Sequence, residues 1–311
     1  MMKIVKRVKK GKFSKLSRIE KDSWIDLENP TQEEIKEVME NLKIPVNFMR
    51  ASLDPEEVPR VEKENNTVLL ILRLPKIIKS ENGEEIETIT LGIIIKDNYF
   101  VTIHREEIPF FKEFLERKVK RFYTDKRTRL LLQIIFKTIQ YFIQVSKKLQ
   151  IATEEAEREL FYSIEAEDII KIWRIRQSIV YLHDAVIGNG KVLEAILKGR
   201  AVKLYKTDQE IIEDLIIENN QLTRIISLMT ELMASTMDAY ASLINNNLNV
   251  VMKRLSSLAI ILSIPATVSS IYGMNIKLPL QSNPNAFWIL MISSFVLSFS
   301  ILIFFRKIKW V

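Results

Sequence analysis

From Ala286 to Phe305 the chain runs twenty residues without a charge, AFWILMISSFVLSFSILIFF. A helix of that length rises about 30 Å, the thickness of a bilayer's hydrocarbon core, so a membrane span is expected here. A second uncharged run, Leu255–Ile276, precedes it and is diluted by Pro265 and by several hydroxyls, among them Ser256, Ser263 and Ser270. Such residues are tolerated in a membrane helix that packs on others or lines a watery path. The alternative, a buried soluble hairpin, is disfavoured by the length rule.

The flanks give an orientation. Lys253 and Arg254 precede the first run, Arg306, Lys307 and Lys309 follow the second, and the loop between them holds only Lys277. That asymmetry puts both outer flanks in the cytoplasm. Trp288 and Trp310 sit near the ends of the second run, where interfacial aromatics belong. The N-terminal MMKIVKRVKKGKFSK is basic, but no apolar stretch follows it, so no secretory signal is expected.

Charge distribution decides what the net +7 means. Residues 251–311 carry six basic groups and no acid, and residues 1–18 carry eight and no acid, which leaves −7 for residues 19–250. Nucleic-acid binding calls for a basic folded face, and this body has the opposite sign. The absence of cysteine excludes disulfides and thiolate metal centres, and two histidines, His104 and His183, are too few for a His-rich site. Neither GxxxxGK[ST] nor GxGxxG occurs, so no nucleotide partner is expected. No nucleophile–base pair stands out either, and an enzyme is not expected.

Ahead of the membrane, residues 1–125 read as mixed α/β. In DSWIDLENPTQEEIKEVMENL, Asn29 or Thr31 serves as an N-cap, with Pro30 near the first turn, ahead of an amphipathic helix. Thr67–Leu74 and Glu87–Ile95, separated by a turn at 81–84, are expected to pair antiparallel, with Tyr99–Ile103 as a third strand. Helices are expected at roughly 127–160 and 165–197, hinged near Phe161–Glu165, the second broken by Gly188 and Gly190. Around the hinge lie Glu154, Glu155, Glu157, Glu159, Glu165, Glu167 and Asp168, which form either a solvated helix end or a cation-attracting rim.

A third helix dominates the rest. Between Asp208 and Ile271, 64 residues, there is no glycine and only one proline, Pro265. As one helix it would run on the order of 100 Å and would become the first span, which makes it a stalk. Stepping along it by fours and threes meets Asp238, Ser242, Asn245, Asn249, Met252, Ser256, Ala259, Ser263, Ala266 and Ser270. This period of about 3.5 residues is that of a bundle seam. Two arrangements satisfy a polar stripe in lipid: close helix packing through small residues, or a ring of helices around an aqueous path. In the second, Asp238, Asn245 and Asn249 offer oxygen to a cation, and Met252 and Leu255 form apolar rings able to close the path by dewetting.

The residues thus predict an α+β membrane protein: a cytoplasmic α/β/α N-terminal domain (1–125), a helical domain (126–204), a stalk helix (205–254) and a first transmembrane helix (255–275). An external loop (276–285), a second transmembrane helix (286–305) and a basic cytoplasmic tail (306–311) complete it. The first span ends in Tyr272-Gly273-Met274-Asn275. With this motif between two C-terminal spans, the chain resembles the CorA family of divalent-cation channels. The resemblance implies a homopentameric funnel in the inner (cell) membrane, surrounded by lipid, that passes Mg2+ inward passively and is gated by cytoplasmic Mg2+.

By that resemblance Gly273, Met274 and Asn275 form the selectivity filter, Asn249 a polar pore site, Met252 and Leu255 the hydrophobic gate, and Asp238 a pore-facing acid. Asp214 corresponds to an inter-subunit acid that senses Mg2+. The metal-contacting set is therefore Asn275, Asn249 and Asp214, and Mg2+ is both cargo and regulator. The loop departs from many relatives in lacking an acid after the motif and in carrying Lys277. Transport of Zn2+, Co2+ or Ni2+ is the alternative within the family, and a membrane-anchored oligomeric scaffold the alternative outside it.

Overall fold

The computed structural model describes all residues except 8–12, 81–82, 117, 120–121, 163–165, 309 and 311. Lys9, Lys10 and Lys12, the turn residues Glu81 and Asn82, Glu165 of the acid run and Lys309 of the tail therefore lie outside it, as does the side chain of Asp168. The chain divides into two units, Met1–Met233 and Ala234–Val311.

The first unit is built on a seven-stranded sheet. Its strands are β1 (Met2–Lys6), β2 (Ser14–Leu16), β3 (Trp24–Glu28), β4 (Arg60–Glu64), β5 (Thr67–Ser80), β6 (Gly83–Lys96) and β7 (Tyr99–His104), in the order β2-β1-β3-β7-β6-β5-β4. β3 and β7 pair parallel, and the other neighbours pair antiparallel. The expected pairing of Thr67–Leu74 with Glu87–Ile95 is present within longer strands of 14 residues each. Both sheet faces are covered, which is why Val68–Leu72 reads as an unbroken apolar run. Leu69 and Ile71 face the helices α1 (Gln32–Leu42) and α2 (Val46–Leu53). Leu70 and Leu72 face the opposite core, shared with α3 (Phe111–Leu115), α4 (Arg127–Tyr162), α5 (Ala166–Leu197) and the first turns of α6 (Lys206–Tyr272).

Local chemistry sets several of these boundaries. Thr31 caps α1, its hydroxyl accepting from the Glu34 amide at 3.3 Å while the Glu34 carboxylate accepts from the Thr31 amide at 3.0 Å. This reciprocal box selects Thr31 over Asn29 as the cap. Pro75 sits inside β5, yet β4 reaches only as far as Ile71, so proline occupies a stretch where β5 has β6 alone as a strand neighbour.

The expected break at Gly188 and Gly190 is absent: α5 runs through both glycines to Leu197. Here glycine permits close approach. A Cβ at Gly188 would lie 2.7 Å from Pro59 Cγ, and one at Gly190 would lie 2.8 Å from Asn219 Nδ2. Between them Asn189 reaches the open edge of β5. Its Oδ1 accepts from the Arg73 amide at 2.9 Å, and its Nδ2 donates to the Arg73 carbonyl at 2.8 Å.

The second unit comprises the C-terminal part of α6 and α7 (Ala286–Lys307). α6 is a 67-residue helix that contains Pro265 without interruption, in keeping with the expected stalk. α6 and α7 each contain a stretch long and apolar enough to cross a membrane.

Candidate functional site

Within the span of α6, the buried and half-buried positions between Lys253 and Tyr272 are Ser257, Ile261, Ile264, Pro265, Val268 and Tyr272. Spaced by one, three or four residues, they form one face of the helix. α7 meets that face with its own buried residues, Ser294, Ser298 and Phe305. Ser257 retains 1% of its exposure, Ser294 3% and Ser298 6%. Small residues do therefore mediate helix packing in this unit, as the packing alternative requires. They are a different set of serines from those in the stripe.

The stripe lies on the other side. At 100° per residue, Ser256, Ala259, Ser263, Ala266 and Ser270 centre roughly 170° from the face that α7 covers. All five are exposed in the single chain, and so are Asp238, Asn245 and Asn249. Met252 and Leu255, on the same side, are 57% and 60% exposed. Of the stripe's hydroxyls, Ser263 donates to the Ile260 carbonyl at 2.8 Å, which quiets its polar hydrogen while leaving its oxygen lone pairs available.

At the end of the stripe the helix closes on the motif. Gly273 N–H still donates to Ser269 O at 2.9 Å, and Met274 N–H to Ile271 O at 3.2 Å. A Cβ added at Gly273 would rest 3.4 Å from Ser269 O and 3.5 Å from Ser270 O, which is ordinary contact. Nothing within one chain demands glycine at this position. Met274 and Asn275 are exposed beyond it. The loop is tied back by Tyr272, whose hydroxyl donates to Pro279 O at 3.2 Å, and by Gln281, which accepts from Leu278 N at 3.3 Å.

Asp214 belongs to the other unit, exposed on α6 between the buried residues Ile212 and Leu215. Among the described residues no group of three His, Cys, Asp or Glu side chains is arranged to hold a metal. In the acid run, Glu159 pairs with Lys171 at 2.5 Å and Glu154 accepts from Gln150 at 3.1 Å, so these members behave as a solvated helix end. The two histidines are structural. His104 Nε2 lies 3.0 Å from Asp26 Oδ1, which also accepts from Thr102, and Thr102 in turn accepts from the Trp24 indole at 2.8 Å. His183 Nε2 lies 2.9 Å from Ser227 Oγ.

The residue that sequence reading missed is Ser298. Its hydroxyl donates to the carbonyl of Ile261 at 3.2 Å. Ile261 stands four residues before Pro265, which has no N–H to give it. The signal was present in the proline's position and in the Ser294/Ser298 spacing on the following span.

Comparison with known proteins bears on the whole chain. The family described as "CorA-like Mg2+ transporter protein" matches residues 20–307. The chain is 31% identical over 293 residues to the cobalt/magnesium transport protein CorA of Methanocaldococcus jannaschii, covering 93% of this chain and 91% of that protein. It is 21% identical over 266 residues to the cobalt/magnesium transport protein CorA of Thermotoga maritima, covering 83% of this chain and 74% of that protein. The complete structure of the CorA magnesium transporter from M. jannaschii superposes with a TM-score of 0.86 at 28% identity, covering 100% of this chain and 99% of the other.

Proposed function

The chain belongs to the CorA-like Mg2+ transporter family, and from that premise we propose that it forms a homo-oligomeric channel, a pentamer by family likeness, through which Mg2+ enters the cell passively. One observation carries this reading: the oxygen-bearing stripe of α6 stands opposite the face covered by α7 and is bare in the single chain. Exposed serine and asparagine gain nothing from lipid. Copies of the helix arranged around an axis would turn the stripe toward water and leave α7 on the lipid side.

The chemistry of the stripe suits a hydrated hard cation. Mg2+ sheds its water reluctantly, and amide and carbonyl oxygens at Gly273 and Asn275 accept hydrogen bonds from that water without stripping the ion. A ring also accounts for glycine at 273, where the single chain leaves room for a side chain. Entry needs no nucleotide. The membrane potential contributes about 2.3 kcal/mol per charge per 100 mV, roughly doubled for a divalent ion. Met252 and Leu255 close the path between Asn249 and Ser256, and both termini lie in the cytoplasm.

Cytoplasmic Mg2+ supplies the feedback. Asp214 is exposed and belongs to no group of three metal-holding side chains among the described residues of its own chain, so an ion held there needs oxygen from a second copy. An ion bridging two copies holds the stalks together, and its loss lets like charges separate them. The relatives' names pair cobalt with magnesium, so Co2+ is the second candidate cargo.

Reconstitution in vesicles loaded with ion-sensitive dye tests the reading. Mg2+ influx that rises with an inside-negative potential and stops in Asn275→Ala is expected. Dye traces unchanged by that substitution, or no influx from a folded oligomer, would leave a membrane scaffold as the better account. Selective passage of Zn2+ or Ni2+ would reassign the cargo within the family.

A further inference from the structure

We infer that Ser298 of α7 is a positioning residue for the conduction path, because its hydroxyl takes the place of the backbone donor that Pro265 removes from α6. The inference rests on the channel reading above and deepens it.

In an α-helix the Ile261 carbonyl accepts from the N–H of residue 265. Pro265 has none, and its ring also crowds that carbonyl. A carbonyl left bare in hydrocarbon is costly, and a hydroxyl from a neighbouring helix is one of the few available remedies. Ser298 supplies it at 3.2 Å from a side chain that keeps only 6% of its exposure. Ser294, one turn earlier, is also small and buried, at 3% exposure, so bulk does not stand on that side of α7.

The direction of the effect follows from where Pro265 sits. It is half-buried near the α7 side, so crowding by its ring favours opening of α6 on that side and tilting of the outer half toward the opposite face. The opposite face is the stripe. Bending at Pro265 would therefore set how far Ser270, Gly273 and Asn275 lean toward the axis. A hydrogen bond from α7 across the opened carbonyl fixes that lean.

A cycle of variants in the full chain tests this: Ser298→Ala, Ser298→Thr, Pro265→Ala and the double variant Pro265→Ala/Ser298→Ala. Two readouts are taken. One is Mg2+ influx into vesicles. The other is the distance between spin labels at Leu258→Cys and Ile271→Cys, which lie about 20 Å apart on either side of Pro265 and label cleanly because the chain has no cysteine. Doubly labelled copies are diluted with unlabelled ones.

Ser298→Ala is expected to broaden and shift the distance and to change influx by roughly three- to tenfold, the effect of one lost hydrogen bond. Ser298→Thr, which keeps the hydroxyl, restores both. In the Pro265→Ala background, where residue 265 again donates to Ile261, removing the serine hydroxyl changes neither. An equal effect of Ser298→Ala in both backgrounds, or an unchanged label distance, overturns the inference. If the distances couple as expected and no vesicle conducts, the channel reading falls and the splint at Ile261 stands. If vesicles conduct and the cycle shows no coupling, the inference falls alone.

Discussion

The side-chain amide of Asn189 holds both backbone groups of Arg73, one through each end of the amide. It stands where a strand partner would be, because β4 stops pairing at Ile71. Gly188 and Gly190 on either side let the helix come that close. Asn189→Leu is expected to leave the half-buried N–H and C=O of Arg73 unpaired, at about 2–4 kcal/mol in total. Hydrogen–deuterium exchange should rise sharply in the peptide containing Arg73, and much less on the β6 side.

Glu34 offers a pH test. Burial raises its pKa, but the backbone hydrogen bonds from Thr31 and Met2 and the N-terminal ammonium outweigh burial and hold it below the ordinary value of 4.5. A lowered folded-state pKa contributes stability that is present above the unfolded pKa and lost as pH falls through the folded one. Glu34→Gln, which keeps the capping geometry but loses the charge facing the N-terminal ammonium, should therefore lower stability at neutral pH. Melting curves of wild type and variant should converge as the solution is acidified below the carboxylate range.

Asp214 carries the proposed feedback. Asp214→Ala should leave influx into Mg2+-free vesicles near the wild-type rate and weaken inhibition by internal Mg2+ by roughly tenfold in concentration, the worth of one modest charge contact. Titrating internal Mg2+ against influx checks it. An unchanged inhibition curve would remove Asp214 from the sensing role.

Met252 and Leu255 are assigned to closure by dewetting, which depends on apolar side chains. The pair Met252→Asn and Leu255→Asn, made together, should wet the constriction. Influx at high internal Mg2+ should then approach the rate seen without it. Met252→Leu keeps the ring apolar and should remain closed under the same conditions.

Periodicity and length made the largest features readable. A 67-residue helix without glycine, two apolar stretches, the paired strands β5 and β6 and the Thr31 cap all follow from local pattern. The N-terminal strands did not, because β1 and β2 are short and strewn with lysine, so Ile4 and Val5 gave too little alternation to read. Gly188 and Gly190 were misread because glycine signals a break by propensity, whereas here it answers a tertiary contact with Pro59 and Asn219. For the candidate site, the stripe was legible as a period of small and polar residues. Which face α7 would cover was not, since both spans carry serine throughout. Only the structure separates Ser257, Ser294 and Ser298, buried between the helices, from Ser256, Ser263 and Ser270 on the far side.

The order of the two units has a consequence for biosynthesis. Strand β7 ends at His104 and the first unit at Met233, whereas the first apolar stretch begins only after Arg254. Domains fold as units, amino end first, while the ribosome is still working. The sheet thus has every strand it needs before a hydrophobic segment can engage the insertion machinery. On the orientation proposed above, a finished domain of this size would stay on the side where it was made. Folding would then hold the topology alongside the lysines and arginines that flank the apolar stretches, and reversing those charges alone should fail to invert the protein.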